Sequence, residues 1–179
     1  MENRIILVDE LDREVGTEEK LAAHKKPMLH RAFSVFLYDD SGDETMLLLQ
    51  QRAIGKYHSG GLWANACCSH PTVSEKVEDA AVRRLREELG VTGVCLKEIA
   101  SFIYFHQFKE DLFEFEYDHV LVGRYSGAIE ANTEEIEQVK WVTVSELQNE
   151  LSLYGDTKYA PWFPMASSFV LNWLLAHEC

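Results

Sequence analysis

Short alternating apolar runs and one long helical stripe divide this chain into elements. Residues 4–8 read as a strand, and the polar run from Asp9 to Gly16 as a turn. Thr17-Glu-Glu-Lys20 predicts a helix start leading to Ala22 and His24, and Pro27 closes that segment. Residues 31–38 and 46–52 flank the connection Asp39-Asp-Ser-Gly-Asp43, the pattern of an antiparallel hairpin. Gly55 to Gly61 is an irregular loop exposing Lys56, Tyr57 and His58. Ser74 is the expected N-cap of a helix to Leu89, with Val77, Ala81, Leu85 and Leu89 as its apolar stripe and Gly90 as its stop. Residues 98–105 and 113–122 predict two strands about a polar turn at Lys109 to Asp111, and Lys140 to Val144 predicts another. Ser145-Glu-Leu-Gln148 fits a capping box opening a short helix, and Trp162 to Ala176 reads as a terminal helix. The expected fold class is mixed α/β (α+β), a largely antiparallel sheet with helices on its faces and no interdomain linker.

Composition narrows the role. At 179 residues and 46% hydrophobic composition, residues 1–179 suit one well-cored domain. A formal charge of -13 opposes long-range attraction to nucleic acid or anionic lipid, so any phosphate must meet a local basic pocket. Cys67 and Cys68 are adjacent, and with Cys95 and Cys179 they do not resemble a disulfide framework. The N-terminus lacks a signal-peptide core, and no apolar run approaches the roughly 18 residues of a membrane helix. A cytoplasmic, monomeric protein with no nucleic-acid or membrane partner is the expectation.

Two stretches carry candidate chemistry. Strand alternation sends Glu114, Glu116 and Asp118 to one face and Phe113, Phe115 and Tyr117 to the other. Glu114 and Glu116, roughly 7 Å apart along the strand, can converge on one cation; the plainer alternative is a solvated face opposite an aromatic core. His24, His30 and His70 with these carboxylates suit a divalent transition metal such as zinc or manganese. His58, His106, His119 and His177 are read as surface or hydrogen-bonded residues. Neighbouring cysteines in extended chain point opposite ways, so one of Cys67 and Cys68 can face a pocket while the other is packed; Cys68 lies two residues before His70.

The helix ending Arg83-Arg-Leu-Arg-Glu-Glu-Leu-Gly90 is close to the signature of Nudix hydrolases, Gly-x5-Glu-x7-Arg-Glu-U-x-Glu-Glu-x-Gly-U, where U is aliphatic. Glu75, Arg83, Leu85, Glu87, Glu88, Gly90 and Val91 fall in register. Ser69 replaces the glycine, and Arg84 replaces a glutamate, exchanging a magnesium ligand for a phosphate-pairing group. Together with His24, Met28 to Phe36, Leu47 to Arg52, Cys67-Cys-Ser-His-Pro71 and Glu114-x-Glu116, this resembles the type I isopentenyl-diphosphate isomerases.

That resemblance implies interconversion of isopentenyl and dimethylallyl diphosphate by protonation and deprotonation, without flavin. It implies Cys68 and Glu116 as the acid/base pair, with Tyr104 assisting Glu116. His24, His30, His70, Glu114 and Glu116 match the family's metal site. Lys20, Arg52, Lys56 and Arg84 match groups that hold a small-molecule diphosphate, Glu88 with the Cys68 backbone matches a magnesium site, and Trp162 matches an aromatic residue over the hydrocarbon. A Nudix-type diphosphohydrolase is the alternative, and a non-enzymatic metal-binding module a third reading.

Overall fold

The computed structural model describes residues 4–56 and 58–177. β1 (Arg4–Val8) and β2 (Glu14–Glu19) form an antiparallel hairpin, followed directly by α1 (Lys20–Lys25). Thr17 to Glu19 thus lie in a strand where a helix start was expected. The helix begins later, where the Glu19 carboxylate caps it by accepting the Ala22 N–H.

β3 (His30–Asp39) is the spine of the sheet, and its almost continuous burial is that of a strand covered on both faces. It runs parallel to β8 (Leu112–Arg124) on one side and antiparallel to β6 (Cys67–Ser69) on the other. The expected hairpin with β4 (Met46–Arg52) pairs only at its base, Tyr38 with Leu47 and Asp39 with Met46. Beyond that β4 peels away to pair with β5 (Trp63–Asn65) and β9 (Ile136–Thr143), so one curled, mostly antiparallel sheet opens along β3. β7 (Leu96–Lys109) and β8 make a long hairpin, and their outer face carries half-exposed Phe105 and Ile103. The carboxylates of β8 face inward and its aromatics outward, the reverse of a solvated acidic face over an aromatic core.

α2 (Val77–Leu89) covers one face of the sheet; α3 (Val144–Lys158) and α4 (Phe163–His177) cover the other. Phe33, Val35 and Leu37 of β3 pack with Leu85 and Leu89 of α2, while Phe36 packs with Phe163 and Val170 of α4. Each such fully buried side chain contributes about 1.5–3 kcal/mol. Ser74 is not the cap of α2: it adopts a left-handed backbone at φ 69° in the preceding turn, and no side chain caps the helix at Lys76. The turn is held instead by Glu75, which accepts bonds from Thr72 and a bidentate pair from Arg83. Gly90 ends α2 at φ 68°, where its N–H reaches Arg86 and the Val91 N–H reaches Leu85. The capping box of α3 also falls two residues before the expected position, with Thr143 and Glu146 as its partners. No helix among the described residues is long and apolar enough to cross a membrane.

Candidate active site

Register explains how distant residues meet. His30 on β3 lies directly beside Glu116 on β8, and Glu116 lies beside Tyr104 on β7, so the three form one row across the sheet. Four residues along β3, on the same face, Ser34 lies beside Cys68 of β6. α1 brings His24 over this face, and the strand end after Cys68 brings His70.

Ligating atoms of His24, His30, His70 and Glu116 all lie within 4.8 Å of one another. His70 Nε2 stands 3.0 Å from Glu116 Oε1 and 3.2 Å from His30 Nε2. Two of the outer nitrogens are tied back: His24 Nδ1–H donates to the Lys20 carbonyl at 2.7 Å, and His30 Nδ1–H to Met28 at 2.8 Å. Those bonds leave the Nε2 lone pairs directed inward, as metal-binding imidazoles require. Burial and the neighbouring His30 push the His24 pKa down to about 4, and burial holds His70 well below the usual histidine range, so both stay neutral. Burial opposes charge on Glu116, but the adjoining His30 and His70 outweigh it and keep its carboxyl well below the usual range. Neutral imidazoles around a carboxylate are a donor set that fits a divalent transition cation.

Glu114 stands apart from those four. Its Oε1 is 3.2 Å from His58 Nε2, while its Oε2 is buried with no hydrogen-bond partner. Burial, then the adjacent Glu116, raise its pKa well above the carboxylate range. Tyr104 is in register with Glu116, yet its hydroxyl makes no hydrogen bond; burial and the two glutamates push its pKa up. Buried polar atoms of this kind each cost about 1–3 kcal/mol. Their concentration around one pocket marks a site built for a ligand.

Cys67 and Cys68 face opposite ways, as strand alternation requires. Cys67 is fully buried against α2, and Cys68 lines the pocket. Burial pushes the Cys68 thiol up to about 12 despite Arg52, whose Nη1 lies 3.6 Å from the sulfur, so the thiol keeps its proton at neutral pH. Trp162 contributes a buried ring, held by its Nε1–H donating to Asn65 at 3.1 Å; the Arg52 guanidinium lies 5.3 Å from its centroid.

The other end of the pocket is cationic. Lys20, Arg52, Lys56 and Arg84 all line it. Arg84 donates to Glu88, one turn on, at 2.5 Å and to Glu87 at 3.0 Å. Lys56 pairs with Glu135, whose carboxylate also lies 3.8 Å from Arg84. Every sequence-predicted site residue but Tyr104 lies in the pocket lining or the four-residue cluster, and Tyr104 adjoins it in register.

Sequence reasoning missed Glu135, the contacts of His58 and the pairing of Asp118 with Ser34, whose hydroxyl donates to it at 2.8 Å. Glu135 lies just before β9 and matches no spacing. Asp118 shares the alternation of Glu114 and Glu116, a signal that was present. His58 on the glycine-bounded loop is buried rather than exposed as expected, and no local pattern encodes its contact with Glu114.

Residues 28–164 match the NUDIX domain. A Photobacterium profundum isopentenyl-diphosphate Delta-isomerase is 44% identical over 176 residues, 96% of each chain. An Aromatoleum aromaticum protein named isopentenyl-diphosphate Delta-isomerase 2 is 48% identical over 96% of this chain and 88% of its own length. Among solved structures, a Deinococcus radiodurans protein superposes with a TM-score of 0.72 at 22% identity, covering 93% of this chain and 97% of its own. A Burkholderia pseudomallei MutT NUDIX hydrolase reaches 0.62 at 17% identity over 79% and 98%, which shows a shared fold. A Nudix fold that carries paired cysteine and His/Glu groups in this arrangement, and these relatives over nearly its whole length, belongs to the NUDIX domain family and, within it, to the isopentenyl-diphosphate Delta-isomerases.

Proposed function

We propose that residues 1–179 act as one catalytic domain, monomeric and cytoplasmic, which interconverts isopentenyl diphosphate and dimethylallyl diphosphate. The observation that carries this reading is a single pocket with a proton-bearing thiol, a buried carboxylate and a cationic end. A proton added to the terminal methylene leaves a tertiary carbocation, and loss of a proton from the carbon nearer the diphosphate completes the shift. Cys68 and Glu116 exchange these two protons from strands on either side of β3. Tyr104 assists Glu116 from the adjoining rung. Lys20, Arg52, Lys56 and Arg84 hold the diphosphate, and the Trp162 ring excludes water that would trap the cation as an alcohol.

His24, His30, His70 and Glu116, with Glu114, would hold zinc or manganese, and Glu88 with the Cys68 backbone would hold magnesium at the diphosphate. Such cations supply Lewis-acid polarisation and charge neutralisation when bound. No flavin is required. A diphosphohydrolase is disfavoured because Arg84 replaces a carboxylate of the signature and its guanidinium is engaged with Glu87 and Glu88.

The test offers isopentenyl diphosphate and nucleoside diphosphate derivatives in separate reactions, with and without a chelator. Expected are dimethylallyl diphosphate without phosphate release, loss of that product on chelation, and its return with manganese or zinc plus magnesium. Phosphate release from nucleotides with no dimethylallyl product would overturn the reading.

A further inference from the structure

His58 has no role in the chemistry above, yet the fold holds it at the pocket with unusual care. Its loop is closed by main-chain bonds between Arg52 and both Gly61 and Leu62, and between Leu62 and Ser59. A Cβ at Gly60 would come within 2.5 Å of the Ile54 carbonyl, so the tight loop requires glycine there. The imidazole is only 8% exposed. It stacks on Phe108 at 4.7 Å, meets Trp162 edge-on at 6.2 Å, and lies 6.3 Å from the His24 ring.

We propose that His58 is the positioning residue of Glu114: its Nε2–H holds Oε1 and leaves Oε2 to complete the cation site of His24, His30, His70 and Glu116. The inference deepens the metal reading of the proposed function and rests on it.

Two observations converge. The 3.2 Å contact occupies one carboxylate oxygen, and the other is buried without a hydrogen-bond partner. A carboxylate in such surroundings has strong reason to engage a cation through its second oxygen. The ring is oriented by aromatic packing, with Nδ1 toward the Ser59 hydroxyl at 3.4 Å, which directs Nε2 at Glu114. An outer-shell partner of this type typically changes metal affinity by roughly 10- to 100-fold.

The experiment measures manganese affinity of the metal-stripped full chain by competition with a chelating dye. H58F keeps the ring stacking on Phe108 but removes the donor; H58Q places an amide nitrogen near the position of Nε2, and H58N is too short to reach. Expected is manganese binding roughly 10- to 100-fold weaker in H58F, affinity near wild type in H58Q, and no further loss when H58F is added to E114Q. Pyrophosphate affinity without metal should be the same in wild type and H58F. Should H58F not fold, the contrast between H58Q and H58N carries the same test. Wild-type affinity in H58F, equal losses in H58Q and H58N, or an additive loss in the double variant would overturn the role of His58. Failure of the wild-type chain to bind manganese or zinc at all would instead overturn the metal reading beneath it.

Discussion

At one end of the pocket His24, His30, His70 and Glu116 come from α1, β3, the end of β6 and β8; at the other, Arg52, Lys56, Arg84, Glu88 and Glu135 come from strand ends, a loop and α2. The first end leaves neighbouring atoms without hydrogen bonds, among them Tyr104 Oη, Glu114 Oε2 and His70 Nδ1. The second has already paired two of its cations, Lys56 with Glu135 and Arg84 with Glu87 and Glu88, although Arg52 Nε and Arg84 Nε are buried without hydrogen bonds. The difference lies in how binding must proceed. A cation entering the histidine end gains partners that nothing else supplies, whereas a diphosphate entering the other end must compete with carboxylates already in place.

Cys68 lies between these ends, and its removal should produce the largest effect. Cys68→Ala should lower kcat at least about 100-fold, the usual worth of a positioned acid/base group. Cys67→Ala, on the α2 face, should retain turnover and lose about 1 kcal/mol of stability to the small cavity left. Steady-state kinetics and chemical denaturation of both variants check this, and equal activities would break the assignment of the two faces.

The competition at the cationic end is testable without chemistry. Glu135→Gln removes the carboxylate that pairs with Lys56 and approaches Arg84. Pyrophosphate should then bind more tightly in the absence of metal, by about fivefold or on the order of 1 kcal/mol. Titration calorimetry reads this directly. Weaker binding would mean that Glu135 organises the cations rather than competing for them.

A smaller effect separates catalysis from scaffolding on α2. The Arg83 guanidinium, with backbone and hydroxyl bonds from Thr72, holds the Glu75 carboxyl down to about 2, below its ordinary 4.5. A folded-state pKa lowered in this way stabilises the protein fully above the unfolded value and less as the pH falls toward 2. The stability difference between wild type and Glu75→Gln should therefore be constant above about pH 5.5 and shrink through pH 4.5 to 2. Denaturation midpoints across that range measure it, and a difference independent of pH would remove the ion pair as its cause.

What the sequence made legible followed local rules. Alternation predicted the opposed faces of Cys67 and Cys68 and the shared face of Glu114, Glu116 and Asp118, and the signature spacing located Arg84 and Glu88 on α2. Which way β8 faced was not legible, because half-exposed Phe113, Phe115 and Tyr117 look like core until the sheet shows them outside. The parallel pairing of β3 with β8, which sets His30 beside Glu116, is a contact across 86 residues with no local trace. Glu135 and His58 were missed for the same reason. Caps also shifted by a residue or more, at Glu19 for α1 and at Thr143 for α3, since a hydroxyl or carboxylate two positions away satisfies the same pattern.

The most direct measurement incubates the metal-loaded enzyme with isopentenyl diphosphate in deuterated water and follows the product by NMR. Proton addition and removal by Cys68 and Glu116 predict dimethylallyl diphosphate with deuterium in the methyl group formed from the terminal methylene. Dimethylallyl product without solvent deuterium, or no dimethylallyl product at all, would contradict the account.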